Sequence, residues 1–386
     1  MEVQRAFGDL RLRGDLTEAG VAVSSAFKNL RSTFDDGTPG FDGPLLHCGG
    51  GPFVVGSGGI LVSMKDPTAG TGKTAHRDVD RPTAILLVGS TGFVGSRIAA
   101  SLFGSEGVGL TVLSRKPAEH PLAPHGITVP GDLGDPHSLA EALRGVDVVI
   151  HAASYVGKDP RLADEVNRQG TANLLAECRR LGVDRFVYLS TTSVYGSGPH
   201  RGITEVDGTY SPRSPVSAAR AEADRMVLNS GGTVIRPNLV FGAGDQWFIP
   251  GLVKMLRTGI WPGDGSALLS VIGVKELGQM AARLALSPEK HGRAFHAVGS
   301  RPVTAAELIT EVSAALRLPA PAFGPEAVGR DALTKAGFTA HQVDLVTRDH
   351  WYAGTALRDA TGWNSDAAPL PDADEWDWYR TKITEG

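Results

Sequence analysis

From Thr83 onward the chain alternates short apolar runs with longer stretches of mixed polarity. The runs are AILLVG (84–89), GLTVLS (109–114), DVVIHAA (147–153), RFVYLS (185–190) and TVIRP (233–237). They show no every-other-residue polarity, so they predict strands buried on both faces. Between them VGSRIAASLF, PHSLAEALRG and DEVNRQGTANLLAECRRLG predict helices. Strand–helix alternation predicts an α/β, Rossmann-type, doubly wound parallel sheet over residues 81–245. Beyond residue 245 the pattern is mixed, with helices expected near 275–287 and 304–316. Residues 246–386 therefore predict a smaller substrate or lid domain of mixed α/β structure, with return elements to the core. Residues 1–80 lack this order. They are a Gly-rich extension (HCGGGPFVVGSGG at 47–59) with a short helix expected around Leu16–Leu30. A flexible leader, an accessory segment packed on the core, and a start misplaced upstream of Met64 all fit that composition.

Bulk properties narrow the function classes. The chain has 386 residues, enough for two domains, and a formal charge of -4, which offers no polybasic surface for nucleic acid or acidic membrane. The two cysteines, Cys48 and Cys178, form neither a disulfide framework nor a metal-binding pair, so no metal site is expected. No apolar run reaches the roughly 18 residues of a membrane span, and no basic start precedes an apolar core. These features predict a cytoplasmic monomer or homodimer acting on a small molecule. AGTGKT at 69–74 imitates a phosphate-binding P-loop, but Pro67 occupies its first Gly position and no buried strand leads into it. It reads as a polar linker.

A second glycine motif is better placed. GSTGFVG follows a predicted strand and opens a predicted helix, with Gly89, Gly92 and Gly95 at three-residue spacing around Ser90, Thr91, Phe93 and Val94. Backbone N–H groups at a helix N-terminus, reached across a surface without Cβ atoms, suit a pyrophosphate. About 20 residues on, an NAD site places an acidic residue on the ribose. Here the positions are Ser114, Arg115 and Lys116, two cations suited to a 2′-phosphate, which predicts NADP(H). Asp132 and Leu133 of GDLGD fit an adenine pocket, Ala152 and Ala153 leave room for the cofactor, and Pro237 and Asn238 end the strand expected beside the nicotinamide.

TGFVG, GDL, VDVVIHAA, VNRQGTANLL, FVYLSTTSVYG and VIRPNLVFG, in this order, resemble the extended short-chain dehydrogenases/reductases. The resemblance implies a catalytic Asn, Ser/Thr, Tyr and Lys. Asn167 and Thr191 match the first two, with Ser193 beside them. The Tyr-x-x-x-Lys positions hold Val216 and Arg220. Valine has no proton to give, and arginine keeps the charge with different geometry. In this respect the chain is similar to the triad-lacking polyketide ketoreductases of simocyclinone-type angucyclinone pathways. That resemblance implies an NADPH-dependent ketoreductase for a polycyclic aromatic ketone. The proton would come from Ser193, Thr192, Tyr210, water or the substrate. A cofactor-sensing protein without catalysis and a nucleotide-sugar epimerase or dehydratase are the alternatives. Trp247 and Phe248 are expected either to line the substrate pocket or to pack between domains.

Overall fold

Two-sided burial is what makes the apolar runs into strands. The computed structural model describes residues 81–364 and 369–384 and, upstream, only the strands Leu46–His47, Pro52–Val55 and Leu61–Ser63, which pair antiparallel. The chain divides into units Met1–Arg81 and Pro82–Gly386. The helix expected at Leu16–Leu30 and the 69–74 linker lie outside the described residues.

In the second unit seven strands form one sheet: β1 (Thr83–Val88), β2 (Val108–Ser114), β3 (Thr128–Pro130), β4 (Val148–His151), β5 (Arg185–Leu189), β6 (Thr233–Pro237) and β7 (Ala294–Ala297). Their order is β7-β6-β5-β4-β1-β2-β3, parallel throughout. The helices that position the site are α1 (Phe93–Leu102), α2 (Pro136–Ala142), α3 (Gly170–Leu181), α4 (Pro215–Asn229), α5 (Phe248–Leu256), α6 (Val274–Leu286), α7 (Ala305–Leu316) and α8 (Ala373–Thr384).

The strand period sorts side chains between two cores. Ile85, Leu87, Val112, Ile150, Val187 and Ile235 pack on one face with Ile98 and Leu102 of α1 and Leu277, Met280 and Leu284 of α6. Their neighbours Leu86, Val88, Leu113, Val149, Phe186 and Val234 pack on the other with Leu139 of α2, Leu174 and Cys178 of α3, and Ala223 and Val227 of α4. Each buried Val, Leu, Ile, Phe or Met among them contributes about 1.5–3 kcal/mol, so both faces must stay covered. Gly278 lets α6 approach α1, since a Cβ there would stand 2.7 Å from the Cβ of Arg97.

The regions on either side of residue 245 interleave. Helix α6 and strand β7 come from beyond it, yet they cover and extend the parallel sheet. A separate core joins Ile249, Leu252 and Leu256 of α5, Trp261, Leu308 and Val312 of α7, and Tyr379 of α8. Asp245 anchors this region. Its buried carboxylate accepts from the N–H groups of Trp247, Phe248 and Ile249 and from the Tyr379 hydroxyl.

Candidate active site

The strand order reverses at β1, and in open α/β sheets ligands bind at such a switch point, beyond the C-terminal strand ends. Five of the predicted clusters lie at these ends: the glycine loop after β1, Ser114–Lys116 after β2, Asp132–Leu133 after β3, Ala152–Ala153 after β4 and Thr191–Ser193 after β5.

The glycines are required by contact. Gly89 has φ +90°, and a Cβ on it would lie 2.4 Å from the Ala153 nitrogen. A Cβ on Gly95 would lie 2.0 Å from the Gly89 oxygen. Gly92 caps α1 without a side-chain hydrogen bond. These features fit the phosphates of a dinucleotide. Phe93 and Arg97 of α1 meet the segment before α5: a Cβ on Gly244 would approach the Phe93 ring at 3.1 Å, and Arg97 donates to the Ala243 carbonyl at 3.1 Å. Trp247, which follows this segment, is 65 % exposed, whereas Phe248 packs against the C-terminal core.

At the β2 end the Ser114 hydroxyl accepts from the Lys116 N–H and shapes the turn. Arg115 is exposed. Lys116 is ion-paired with Glu119 at 2.9 Å. The sequence reading weighed only the two cations here; Glu119, three residues past Lys116, pairs with one of them. A further contact escaped that reading. The buried Ser90 hydroxyl meets His120 Nε2 at 2.8 Å. Asp132 accepts from the Gly134 N–H, and the Leu133 carbonyl accepts from Asn173.

At the catalytic end, Thr191 accepts from the Ser193 N–H and caps a short 3₁₀ turn. Neither the Thr191 nor the Ser193 hydroxyl donates a hydrogen bond to a described residue, and both are partly accessible. Thr192 and Tyr210 differ. The Thr192 hydroxyl is buried and donates to Asn238 Oδ1 at 2.7 Å. The Tyr210 hydroxyl donates to Asp224 at 2.5 Å, and burial, then the Asp224 charge, drives its pKa upward. These commitments remove both from the candidate proton donors. Asn167 sits in a π-helical segment before α3 and is buried. Its amide accepts from the Tyr155 N–H and Ser154 hydroxyl and donates to the Tyr155 carbonyl, so it shapes the loop after β4. Asn238 uses its side chain on Thr192 and on the Ser270 and His350 carbonyls, leaving only its backbone, after Pro237, toward the strand end.

Helix α4 begins with a Ser214–Ser217 capping box and Pro215 in its first turn. This sets Val216 on its second position, half-buried, and Arg220 one turn later. One Arg220 nitrogen donates to the Leu189 and Ser190 carbonyls at 2.9 and 2.7 Å, locking the helix to the β5 end. His151 is fully buried and donates from Nε2 to Thr171, whose own proton goes to the Asn167 carbonyl. Burial, then Arg220, lowers the His151 pKa to about 3. Behind α4 Arg236 forms a two-pronged ion pair with Asp224 and donates to the Tyr195 and Tyr210 hydroxyls.

Residues 85–297, more than half of the chain, match the NAD dependent epimerase/dehydratase family. The chain belongs to that family. Its relatives are oxidoreductases and epimerases, and the family depends on a nicotinamide dinucleotide. A 2-alkyl-3-oxoalkanoate reductase of Stenotrophomonas maltophilia is 31% identical over 61% of this chain and 76% of its own length. A 4-hydroxy-2-methyl-3-oxo-4-farnesyl-3,4-dihydroquinoline-1-oxide ketoreductase of Stigmatella aurantiaca is 29% identical over 45% of this chain and 55% of its own. A UDP-glucuronic acid 4-epimerase of Bacillus cereus, solved with NAD, shares the fold with a TM-score of 0.60 and 16% identity, covering 78% of this chain and 100% of that one. Among the described residues no helix is long and apolar enough to cross a membrane.

Proposed function

We propose that this family member is an NADPH-dependent ketoreductase acting on a ketone of a polycyclic aromatic polyketide, with the proton drawn from the substrate's own phenol or from water. The supporting observation is the distribution of hydroxyl protons. Thr192 and Tyr210 already donate their protons to Asn238 and Asp224, and Val216 stands at the position where the family resemblance implies an acidic tyrosine. The two relatives named above as reductases of oxo compounds support reduction over epimerisation. Epimerases and dehydratases rely most on the tyrosine as a base.

When bound, NADPH supplies hydride to the carbonyl carbon. The glycine loop and the Ser114–Lys116 turn hold the dinucleotide, with Arg115 offered to its 2′-phosphate. Thr191 and Ser193 orient the carbonyl oxygen. A phenol beside the ketone, with a pKa near 10, is far more acidic than an alcohol and gives its proton to the nascent alkoxide. The phenolate then regains a proton from water. Losing a protein general acid costs about 10²–10⁴ in rate. Holding the reactants in line is worth effective molarities of about 10⁵–10⁸ M, so the reaction survives the substitution.

The test mixes the protein with NADPH and a panel of angucyclinone-type phenolic ketones and follows nicotinamide absorbance. Consumption of NADPH is expected, with loss of rate when the neighbouring phenol is methylated. Tight NADPH binding without reduction of any ketone would favour a cofactor sensor instead. Undiminished turnover of the methylated ketone would exclude the substrate as donor.

A further inference from the structure

His120 lies on the loop after β2, between two 3₁₀ turns (Pro117–Glu119 and Ala123–His125), and is 6 % exposed. Both ring nitrogens are engaged, and one contact fixes the direction of the other. The Leu122 N–H donates to Nδ1 at 3.0 Å, so Nδ1 carries a lone pair. The ring proton of the neutral imidazole is then on Nε2, which donates to the Ser90 hydroxyl oxygen at 2.8 Å. Ser90 therefore accepts from His120, and its own proton is turned away from the ring.

The two partners belong to different loops at the ends of adjacent strands. Ser90 is the residue after Gly89, in the glycine loop that follows β1. His120 closes the loop that opens with Ser114, Arg115 and Lys116. Leu122, buried in the sheet core, is that loop's second anchor. In this class of fold the ends of the first two strands flank the adenosine ribose, where its 2′ position is read. The Ser90–His120 bond sets the gap between them.

We propose that His120 is the positioning residue for recognition of a 2′-phosphorylated dinucleotide. It fixes the turn carrying Arg115 against the glycine loop, and it orients the Ser90 hydroxyl as a donor to the 2′-phosphate. The inference rests on the NADP(H) reading above.

The test measures equilibrium binding of NADPH and of NADH by nicotinamide fluorescence, with a thermal melt for each variant. His120→Ala is expected to weaken NADPH binding about tenfold and NADH binding less than about twofold, the loss of one directed hydrogen bond and the order it imposes. Ser90→Ala should show the same split, and the double variant should lose no more than either single one. His120→Asn, which retains an acceptor and a donor, should recover part of the preference. Equal weakening of both cofactors, or none, in His120→Ala and Ser90→Ala would overturn the proposal. If His120→Ala fails to fold, Ser90→Ala carries the comparison alone. A wild-type protein that binds NADPH no better than NADH refutes the cofactor reading itself. A wild-type preference that survives both substitutions refutes only the role of His120.

Discussion

Asp224 gives the sharpest stability prediction. Its side chain is fully buried and accepts from Arg236 Nε at 2.8 Å, from a second Arg236 nitrogen at 2.7 Å and from the Tyr210 hydroxyl at 2.5 Å. Arg236, 2 % exposed, also donates to the Tyr195 hydroxyl at 2.6 Å, and burial, opposed by Arg236, pushes that phenol up to about 12. Asp224→Ala leaves a buried guanidinium with only neutral phenol oxygens as acceptors. Stranding one partner of a buried ion pair costs about 3–5 kcal/mol. Replacing both charges by apolar groups of similar size, Asp224→Leu with Arg236→Met, avoids the stranded charge and should cost much less than either single replacement. Urea unfolding followed by circular dichroism measures all of these. The same pair ties β6 to α4, the helix that carries Val216 and Arg220, so Asp224→Ala should also weaken NADPH binding. A loss below about 1 kcal/mol for Asp224→Ala, or a double variant less stable than the single one, would refute this account of the network.

Three other substitutions or conditions test separate parts of the site. Gly95→Ala puts a Cβ 2.0 Å from the Gly89 oxygen, backbone that cannot swing aside, and should abolish measurable NADPH binding in a fluorescence titration while lowering the melting temperature; retained wild-type affinity would show that the loop does not hold the dinucleotide. Val216→Tyr should raise turnover of phenol-methylated ketones by up to about 10²–10⁴, and unchanged rates would mean that position 216 does not face the reacting oxygen. Acid should destabilise the fold through its buried neutral histidines: the His151 pKa is lowered to about 3 and the His296 pKa to about 4, in both cases first by burial. The unfolded chain takes up these protons first as pH falls below about 6.5, so each group removes about 1.4 kcal/mol per pH unit until its folded pKa is reached. Urea melts at pH 7 and pH 5 should differ by about 2 kcal/mol per histidine, and His151→Gln should reduce that difference.

The strands were legible because burial on both faces writes continuous apolar runs, and the glycine loop because contacts of 2.0–2.4 Å exclude any Cβ. What stayed hidden depends on pairings between distant residues. Ser90 and His120 are 30 positions apart, Tyr195 and His296 101 apart, and no periodicity links them. One signal did exist. Arg236 interrupts the apolar run TVIRP, and a charge inside a doubly covered strand must find an opposite charge. Asp224, four residues after Arg220 on the preceding helix, is the charge it finds.

Hydroxyls were the least legible feature, because a side chain's donor capacity depends on where its proton already points. In sequence Thr192, Ser193 and Tyr210 look equivalent as proton sources. In the structure Thr192 and Tyr210 direct their protons to Asn238 and Asp224, the second of these inside an ion-pair network that burial makes costly to open. Tyr195 is no substitute, since it accepts from Arg236, which leaves its proton for His296 Nε2 while the His296 Nδ1 proton goes to the Ala353 carbonyl. Thr191 and Ser193 remain, and both are ordinary alcohols, poor acids beside a phenol. A site arranged in this way binds and orients a carbonyl well and protonates it badly. That imbalance favours a substrate carrying its own acidic hydroxyl, and it is why methylating that hydroxyl is the most direct challenge to the proposed reaction.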